Sequence, residues 1–500
     1  MQPLTRAEAS SYKETSLHAD VVAFLAALAS RNDPRFHLSS FGTSPDGRDL
    51  PLVVMSAHGV RTPEESRRRN LPVVLVINGI HAGEVEGKEA SMMLLRDILD
   101  GKLAHLVEKL TLVVVPLFNP DGNDAIDPKN RELNLPRLDG QIGPPSVGTR
   151  VNKAGINLNR DYMRQAAGEM RALQSRVVQV WEPELTIDCH ATNGSVHRMW
   201  MTYDVPHTMA SGRPEPIAFM RSRMMPAVTA AIAANHGITA GWYGNFVEDE
   251  RALDARRDAD PRAGVTEGWM TYPHHPRFGS NYRGLTNRLD LLLECYSYLA
   301  FPDRVRTTYA TILEALTYVA AHPDDVLQVV ASSKLPRAKI AVRSRLEAFD
   351  ELIEIPTCIP RVLDGSPTTV KLPYFASFVG TTVVDRPAAY IVPPDVAQHL
   401  QRHGLAVEPA SGQREVEVAR ITGFGSEGGR KILEAAQVGD VEVEWRRETL
   451  RVDGYSVVRT DQPLGAIAVY LCEPESDDGA IENGLVTAPA VGSDFPIWRA

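Results

Sequence analysis

Four cysteines in 500 residues are too few for a disulfide framework. Cys189 and Cys295 lie in or beside apolar runs, which points to buried thiols rather than bridges. No stretch approaches the roughly twenty apolar residues that a membrane-spanning helix needs, so no membrane partner is expected. The N-terminus, MQPLTRAEASSYKE, lacks the apolar core of a secretory signal, and a cytoplasmic location is expected. Long Lys/Arg runs are also missing, and 63 acidic against 53 basic side chains leave a formal charge of −10. That balance argues against a nucleic-acid partner. SRRRN at 66–70 is short and reads as a solvated loop. No internal repeat is visible. The letters G-x-G-x-x-G occur within GFGSEGG at 423–429, but without the βαβ unit and acidic partner that a nucleotide site requires. What remains has the 43% hydrophobic and 23% charged content of a globular protein, with enough chain for two to three domains.

The organising stretch is LPVVLVINGIHAGEVEGKEA at 71–90. Val73 to Ile77 are apolar and mostly β-branched, too few for a helix, and read as a strand buried on both faces. Asn78 and Gly79 break it. After Gly87, Ala90, Met93, Leu94 and Ile98 recur at steps of three and four, a helical pattern. His81 and Glu84 therefore sit on a strand-to-helix turn, where open α/β sheets place their ligands. A His and a Glu three apart on a turn can converge on one cation, and catalytic zinc commonly takes two His and one Glu. Taken alone the pair is equally compatible with a polar loop, so the rest of the chain must supply a third ligand.

The spacing predicts a helix over 21–29 and then hairpin material, with SPDGR as the turn. Thr111 to Phe118 is a second buried strand, ended by Asn119-Pro120-Asp121-Gly122, and strand, helix and strand make a βαβ unit with a parallel sheet. Residues 123–155 form a long polar loop of the kind that is usually functional or disordered, and it delivers GTRVNKAGINLNRDY. Helices are expected over 168–181, 216–236 and 303–321, a short strand over 184–189, and mostly loop over 245–288. From about residue 334, short apolar runs such as KIAVRS, AAYIVP, VEVEW and AIAVYLCEP alternate with turn residues. That texture predicts a mainly β domain with a short helix near 395–403.

Four apolar strands thus end in polar groups able to do chemistry: His81 with Glu84, Asn119 to Gly122, His190, and Glu294. In a parallel sheet those ends share one edge. His190, closing Asp188-Cys189-His190, is the best third ligand, ahead of the loop residues His197, His274 and His275. Asp188 reads either as its support or as a buried polar group. Glu294, flanked by Leu291 to Leu293 and Cys295, reads either as an internal ion-pair partner or as the base that a metal site needs.

HAGE, NPDG, R-x-N-x-x-G-I-N-L-N-R, a strand ending in D-x-H and a strand ending in L-E together resemble the zinc carboxypeptidases of the carboxypeptidase A type, peptidase family M14. The likeness runs from about residue 71 to 298. It implies one zinc per chain on His81, Glu84 and His190, with Glu294 as general base. It implies Arg150 at the oxyanion, with Arg131 and Arg137 the next arginines in the same loop. It implies Asn159 and Arg160 on the substrate's terminal carboxylate, a task that suits a planar guanidinium. The family's mobile tyrosine corresponds to Tyr272 by distance to Glu294, with Tyr282 the alternative near the substrate. One departure stands out: the family often carries Arg before the Glu of HxxE, and here Gly83 stands there. HATNGSVH and NYRGLTNRLDLLLECYSY resemble a bacterial branch with an appended β domain.

The expected fold is α/β, a mixed but largely parallel sheet flanked by helices. Residues 1–330 form the zinc-carboxypeptidase-like catalytic domain and 331–500 a smaller, mainly β domain. The expected activity is hydrolysis of the C-terminal peptide bond of a peptide. The alternatives are a zinc deacylase of N-acyl amino acids and a non-catalytic binding module. The first two imply a partner with a free carboxylate, a peptide or an acylated amino acid. Neither side-chain selectivity nor oligomeric state is readable.

Overall fold

A computed structural model describes residues 2–192, 194–249, 267–425 and 440–500, with backbone also at 431–432 and 435–436. Part of the 245–288 loop and most of GFGSEGG lie outside the described residues. The first ten strands are β1 (Phe36–Thr43), β2 (Asp49–Met55), β3 (Val73–Asn78), β4 (Thr111–Val115), β5 (Leu185–Ala191), β6 (Met201–Asp204), β7 (Ala240–Trp242), β8 (Asn245–Phe246), β9 (Trp269–Met270) and β10 (Leu289–Cys295). Eight of them form one sheet, in the order β1-β2-β4-β3-β5-β10-β6-β7. The four in the middle, β4, β3, β5 and β10, run parallel, and antiparallel strands close the edges.

The alternation along each central strand explains why it is buried twice. Val73, Leu75 and Ile77 enter one apolar cluster and Val74 and Val76 another, on the opposite face. Helices Glu86–Leu99 and Phe301–Ala321 cover the second face. In β5 and β10 the parity carries chemistry. Leu185, Ile187 and Cys189, with Leu289, Leu291, Leu293 and Cys295, face that second apolar cluster. The residues between them, Thr186, Asp188 and His190 with Asp290 and Glu294, therefore face the other way. All four cysteines are buried and free.

Two of the expected helices contain a π turn, at Gln174–Val178 and Met220–Met224, where one extra residue is accommodated without ending the helix. Beyond residue 339 the chain forms a long antiparallel arm, β11 (Lys339–Ile359) with β12 (Ser366–Asp385), which pairs with β9. Six further strands between residues 389 and 499 make a separate sheet. AIAVYLCEP corrects the expectation of a strand. Residues Gly465–Cys472 are helical, with all eight buried. A short run apolar on every side carries no periodicity from which to distinguish the two. This helix joins the same apolar cluster as Leu75, Leu158 and Met170, so the two ends of the chain share one core.

Candidate metal centre

β3 ends at Asn78, and Gly79 turns the chain with φ at 68°, a left-handed conformation that glycine adopts freely. The Glu84 amide then donates to the His81 carbonyl at 3.0 Å, which folds residues 81–84 so that both side chains point one way. His81 Nδ1 lies 3.1 Å from Glu84 Oε1, and His190 Nδ1 lies 2.9 Å from Glu84 Oε2 and 3.2 Å from His81 Nδ1. His81 and Glu84 are 5% and 4% exposed. The structure thus brings three sequence-predicted ligands, from two strand ends, into one buried cluster.

The far nitrogens of both imidazoles are fixed. His81 Nε2 sits 3.1 Å from Asn157 Oδ1, and His190 Nε2 sits 3.1 Å from Asp188 Oδ1. Each ring is thereby oriented with Nδ1 toward the cluster, the arrangement of metal-ligating histidines. Asp188 is in turn bound by Arg283 at 2.6 Å, and Arg283 also pairs with Asp290 and donates to the Tyr162 hydroxyl at 2.9 Å. The D-x-H spacing is what sets Asp188 and His190 on one face. Arg283 and Asn157 were not singled out from sequence, since an arginine 95 residues along the chain from Asp188 and one Asn among several give no local pattern.

Burial, and then the Arg150 guanidinium, push the His81 imidazole down to about 3, so it is neutral near pH 7. Burial would raise the Glu84 carboxyl, but His81 and His190 hold it well below the carboxylate range. His81 neutral and Glu84 ionised are the forms a divalent cation needs. At His190 burial is outweighed by Asp188 and Glu84, which push the imidazole well up, so a cation would have to displace its proton. Two histidines and one glutamate with converging donors fit zinc.

Glu294 is paired in register with His190 on the neighbouring parallel strand, so its side chain emerges beside the cluster on the same face. Burial, with Glu84 adding to it and His190 opposing, pushes its carboxyl up to about 8. Arg150 reaches the rim: its Nη1 is 3.1 Å from His81 Nδ1 and 3.5 Å from Glu84 Oε1, and its side chain is 44% exposed. The Thr149 amide donates to the Gly122 carbonyl at 2.9 Å and so delivers Arg150 from the long loop.

Asn159 Oδ1 accepts from the Gly279 amide at 2.9 Å, which turns its Nδ2 toward His190, 3.5 Å away. Arg160 donates to the Asn159 carbonyl at 2.6 Å, and its guanidinium lies 3.7 Å over the Phe278 ring. Tyr272 packs on Phe278, with ring centres 5.6 Å apart, and on His207. The structure seats Tyr282 elsewhere. It is 2% exposed, in the shared core, and its hydroxyl lies 2.8 Å from His403 Nδ1. The fourth strand end is also separate: Asn119 caps a short helix through the Gly122 amide, and Asp121 bonds Ser44 and Arg48 at 2.7 Å each.

The remaining histidine candidates lie apart from this cluster. His197 stacks on Tyr296, with ring centres 4.2 Å apart. His274 and His275 group with Asp477 of the C-terminal region, and His274 Nε2 is bonded to Asp477 Oδ2 at 2.8 Å.

Among known proteins, residues 21–188 match the family described as zinc carboxypeptidase, Peptidase_M14. The matched span takes in His81 and Glu84 and stops two residues before His190. Carboxypeptidase 2 of Trichophyton rubrum is 21% identical over 503 residues, spanning 95% of this chain and 85% of that protein. Carboxypeptidase M of Mus musculus is 29% identical over 109 residues, 21% of this chain and 24% of that one. Among solved structures, a metallo-carboxypeptidase from Burkholderia cenocepacia aligns with a TM-score of 0.41 at 16% identity, over 61% of this chain and 69% of that one.

Proposed function

We propose that the chain is a zinc carboxypeptidase, as the match of residues 21–188 to that family supports, and that it removes the C-terminal residue of a peptide at the cluster of His81, Glu84 and His190. The observation that carries this reading is the convergence of those three side chains beside Glu294, with the Asn159 amide 3.5 Å from His190. In it, His81, Glu84 and His190 hold one zinc, which when bound supplies Lewis acidity to the scissile carbonyl.

The chain's own residues do the rest. Glu294 takes a proton from the attacking water and returns it to the leaving nitrogen as the carbon–nitrogen bond breaks. Glu294 stands in register with His190 at the end of β10, where a carboxylate can act on the attacking water beside the ligands. Arg150 balances the negative charge that develops on the carbonyl oxygen. Arg160 and the Asn159 amide receive the substrate's free carboxylate. The stacking of Arg160 on Phe278 fixes the plane of its guanidinium, and Asn159, held by Gly279, has an N–H to offer. Tyr272 closes the pocket from the aromatic side. Burial raises its phenol well above the ordinary range, so it keeps its proton and can donate.

The test compares a free-acid peptide with its C-terminal amide. Amidation should cost roughly 3 kcal/mol, about a hundredfold in kcat/KM, because the carboxylate-binding guanidinium loses its charged partner. Equal turnover of the two would sink the reading. Rate that climbs as residues are added upstream of the scissile bond marks a peptidase, and rate indifferent to length marks a deacylase of acyl amino acids.

A further inference from the structure

Where the family resemblance leads one to expect an arginine before Glu84, this chain has Gly83. The space is taken. A Cβ on residue 83 would come within 2.9 Å of Arg131 Cδ, 3.3 Å of Arg131 Cγ and 2.7 Å of the Gly148 carbonyl oxygen. The stem of Arg131, from the long loop, lies where a side chain at 83 would start.

The Arg131 guanidinium is fully engaged. Nη1 donates to Glu84 Oε1 at 3.1 Å, and Nε donates to Gln141 Oε1 at 2.6 Å. Nη2 donates to the Thr192 carbonyl at 3.0 Å and to Ser297 Oγ at 3.1 Å. Thr192 lies two residues beyond His190, and Ser297 three beyond Glu294. One planar fork therefore ties the 81–84 turn to the ends of β5 and β10, the three places that carry the candidate ligands and base. Arg131 is itself held at φ 52°, a left-handed conformation that is costly for a residue with a Cβ and persists only where surrounding contacts fix it.

We propose that Arg131 is a positioning residue: it locks the Glu84 carboxylate in ligand geometry and sets the spacing between the two metal-bearing strand ends. Gly83 is small so that Arg131 can cross over it. The inference rests on the zinc reading of His81, Glu84 and His190 and adds to it a role distinct from that of Arg150. Arg150 touches the same carboxylate oxygen, and His81, from the exposed rim, whereas Arg131 bonds the residues that follow both strand ends. Lysine cannot replace the fork, since one ammonium cannot serve Glu84, Gln141, Thr192 and Ser297 together.

The experiment measures zinc affinity by competition with a chelator, for the whole protein and for Arg131→Lys, Arg131→Ala and His190→Ala. Arg131→Lys should bind zinc about 10- to 100-fold more weakly, the usual effect of losing a partner that orients a ligand. Its metal-free melting temperature should stay near that of the parent. With zinc saturating, kcat should fall while KM holds, since Arg131 does not touch substrate. Added guanidinium ion should restore part of the affinity of Arg131→Ala, because it refills the vacated fork, and methylammonium should not. Arg131→Lys that holds zinc as tightly as the parent overturns the proposal while leaving the metal reading intact. A parent that binds no more zinc than His190→Ala overturns both.

Discussion

Among the described residues, two buried groups of two histidines and one carboxylate stand out, and they are built differently. In His81, Glu84 and His190 each imidazole has its far nitrogen 3.1 Å from an oxygen, a hydrogen bond to Asn157 for His81 and an ion-pair contact with Asp188 for His190, and its near one turned inward. Cations stand at the edge, with Arg131 and Arg150 on one carboxylate oxygen. In His274, His275 and Asp477 the acid and base face each other directly, and the second carboxylate oxygen is taken by the Tyr470 hydroxyl at 2.6 Å. The next residue repeats the theme, Asp478 holding Arg277 through its side chain at 2.7 Å and through its amide at 2.6 Å. The first group has the form of a ligand set, the role proposed for it, since its donors converge and its orientation is supplied from behind. The second is a clamp, since His274 and the Tyr470 hydroxyl take the two Asp477 oxygens, while His275 stacks on His274. The clamp still matters to the site: the loop it grips runs on into Phe278 and Gly279, which brace Arg160 and Asn159.

Substitutions can break or sharpen that contrast. The largest effect is expected for His190→Ala, which should leave well under one zinc per chain by elemental analysis, with activity abolished. Asp477→Asn should keep its full zinc, and equal metal loss in both variants would erase the distinction drawn here. Next comes Glu294→Gln, which should retain zinc and fold yet lose about 10³-fold or more in kcat, because a carboxamide cannot accept the proton. Substantial turnover at any pH would assign the base elsewhere.

Arg150→Ala should lower kcat by about 10²-fold or more with a smaller change in KM, the signature of a charge that matters in the transition state. A pure KM effect would make Arg150 a substrate anchor. Asp188→Asn should weaken zinc by about 10-fold or more, because His190 loses the acceptor that sets its tautomer, and chelator competition would detect it. Unchanged affinity would reduce Asp188 to a partner of Arg283.

The smallest effect on catalysis is expected from the clamp. Asp477→Asn should raise KM a few-fold with kcat near that of the parent, and lower stability by about 2 kcal/mol, the typical worth of a hydrogen bond to a charged group. Its pH dependence has a definite sign. Burial would raise the Asp477 carboxyl, but His274 draws it well below the carboxylate range. The clamp's contribution is therefore complete above the ordinary carboxyl range near 4, and is lost as pH falls through the lower folded value. Acid unfolding should show a steeper loss of stability in the parent than in Asp477→Asn, and parallel curves would refute the clamp.

Among the described residues, no helix is long and apolar enough to cross a membrane. Much of the sheet was legible because both faces of its central strands are buried, so Val73 to Ile77, and Leu289 to Leu293 apart from Asp290, stand out as apolar runs of strand length. The candidate ligands were legible for a related reason. They follow those runs directly, and D-x-H carries its parity in its spacing. The helix Gly465–Cys472 was not legible, because uniform burial erases the period that would identify it. In the sequence Arg131 and His274 are only lesser candidates for other roles; their pairing with Glu84 and Asp477 was not legible, since these partners lie 47 and 203 residues away along the chain. By itself, the sequence determined the order of strands and turns and which polar groups end them, since those follow from local periodicity and short-range turn chemistry. Only the tertiary structure decided which partners orient those groups, because a side chain that reaches between strand ends answers to packing and leaves no trace in its neighbours along the chain.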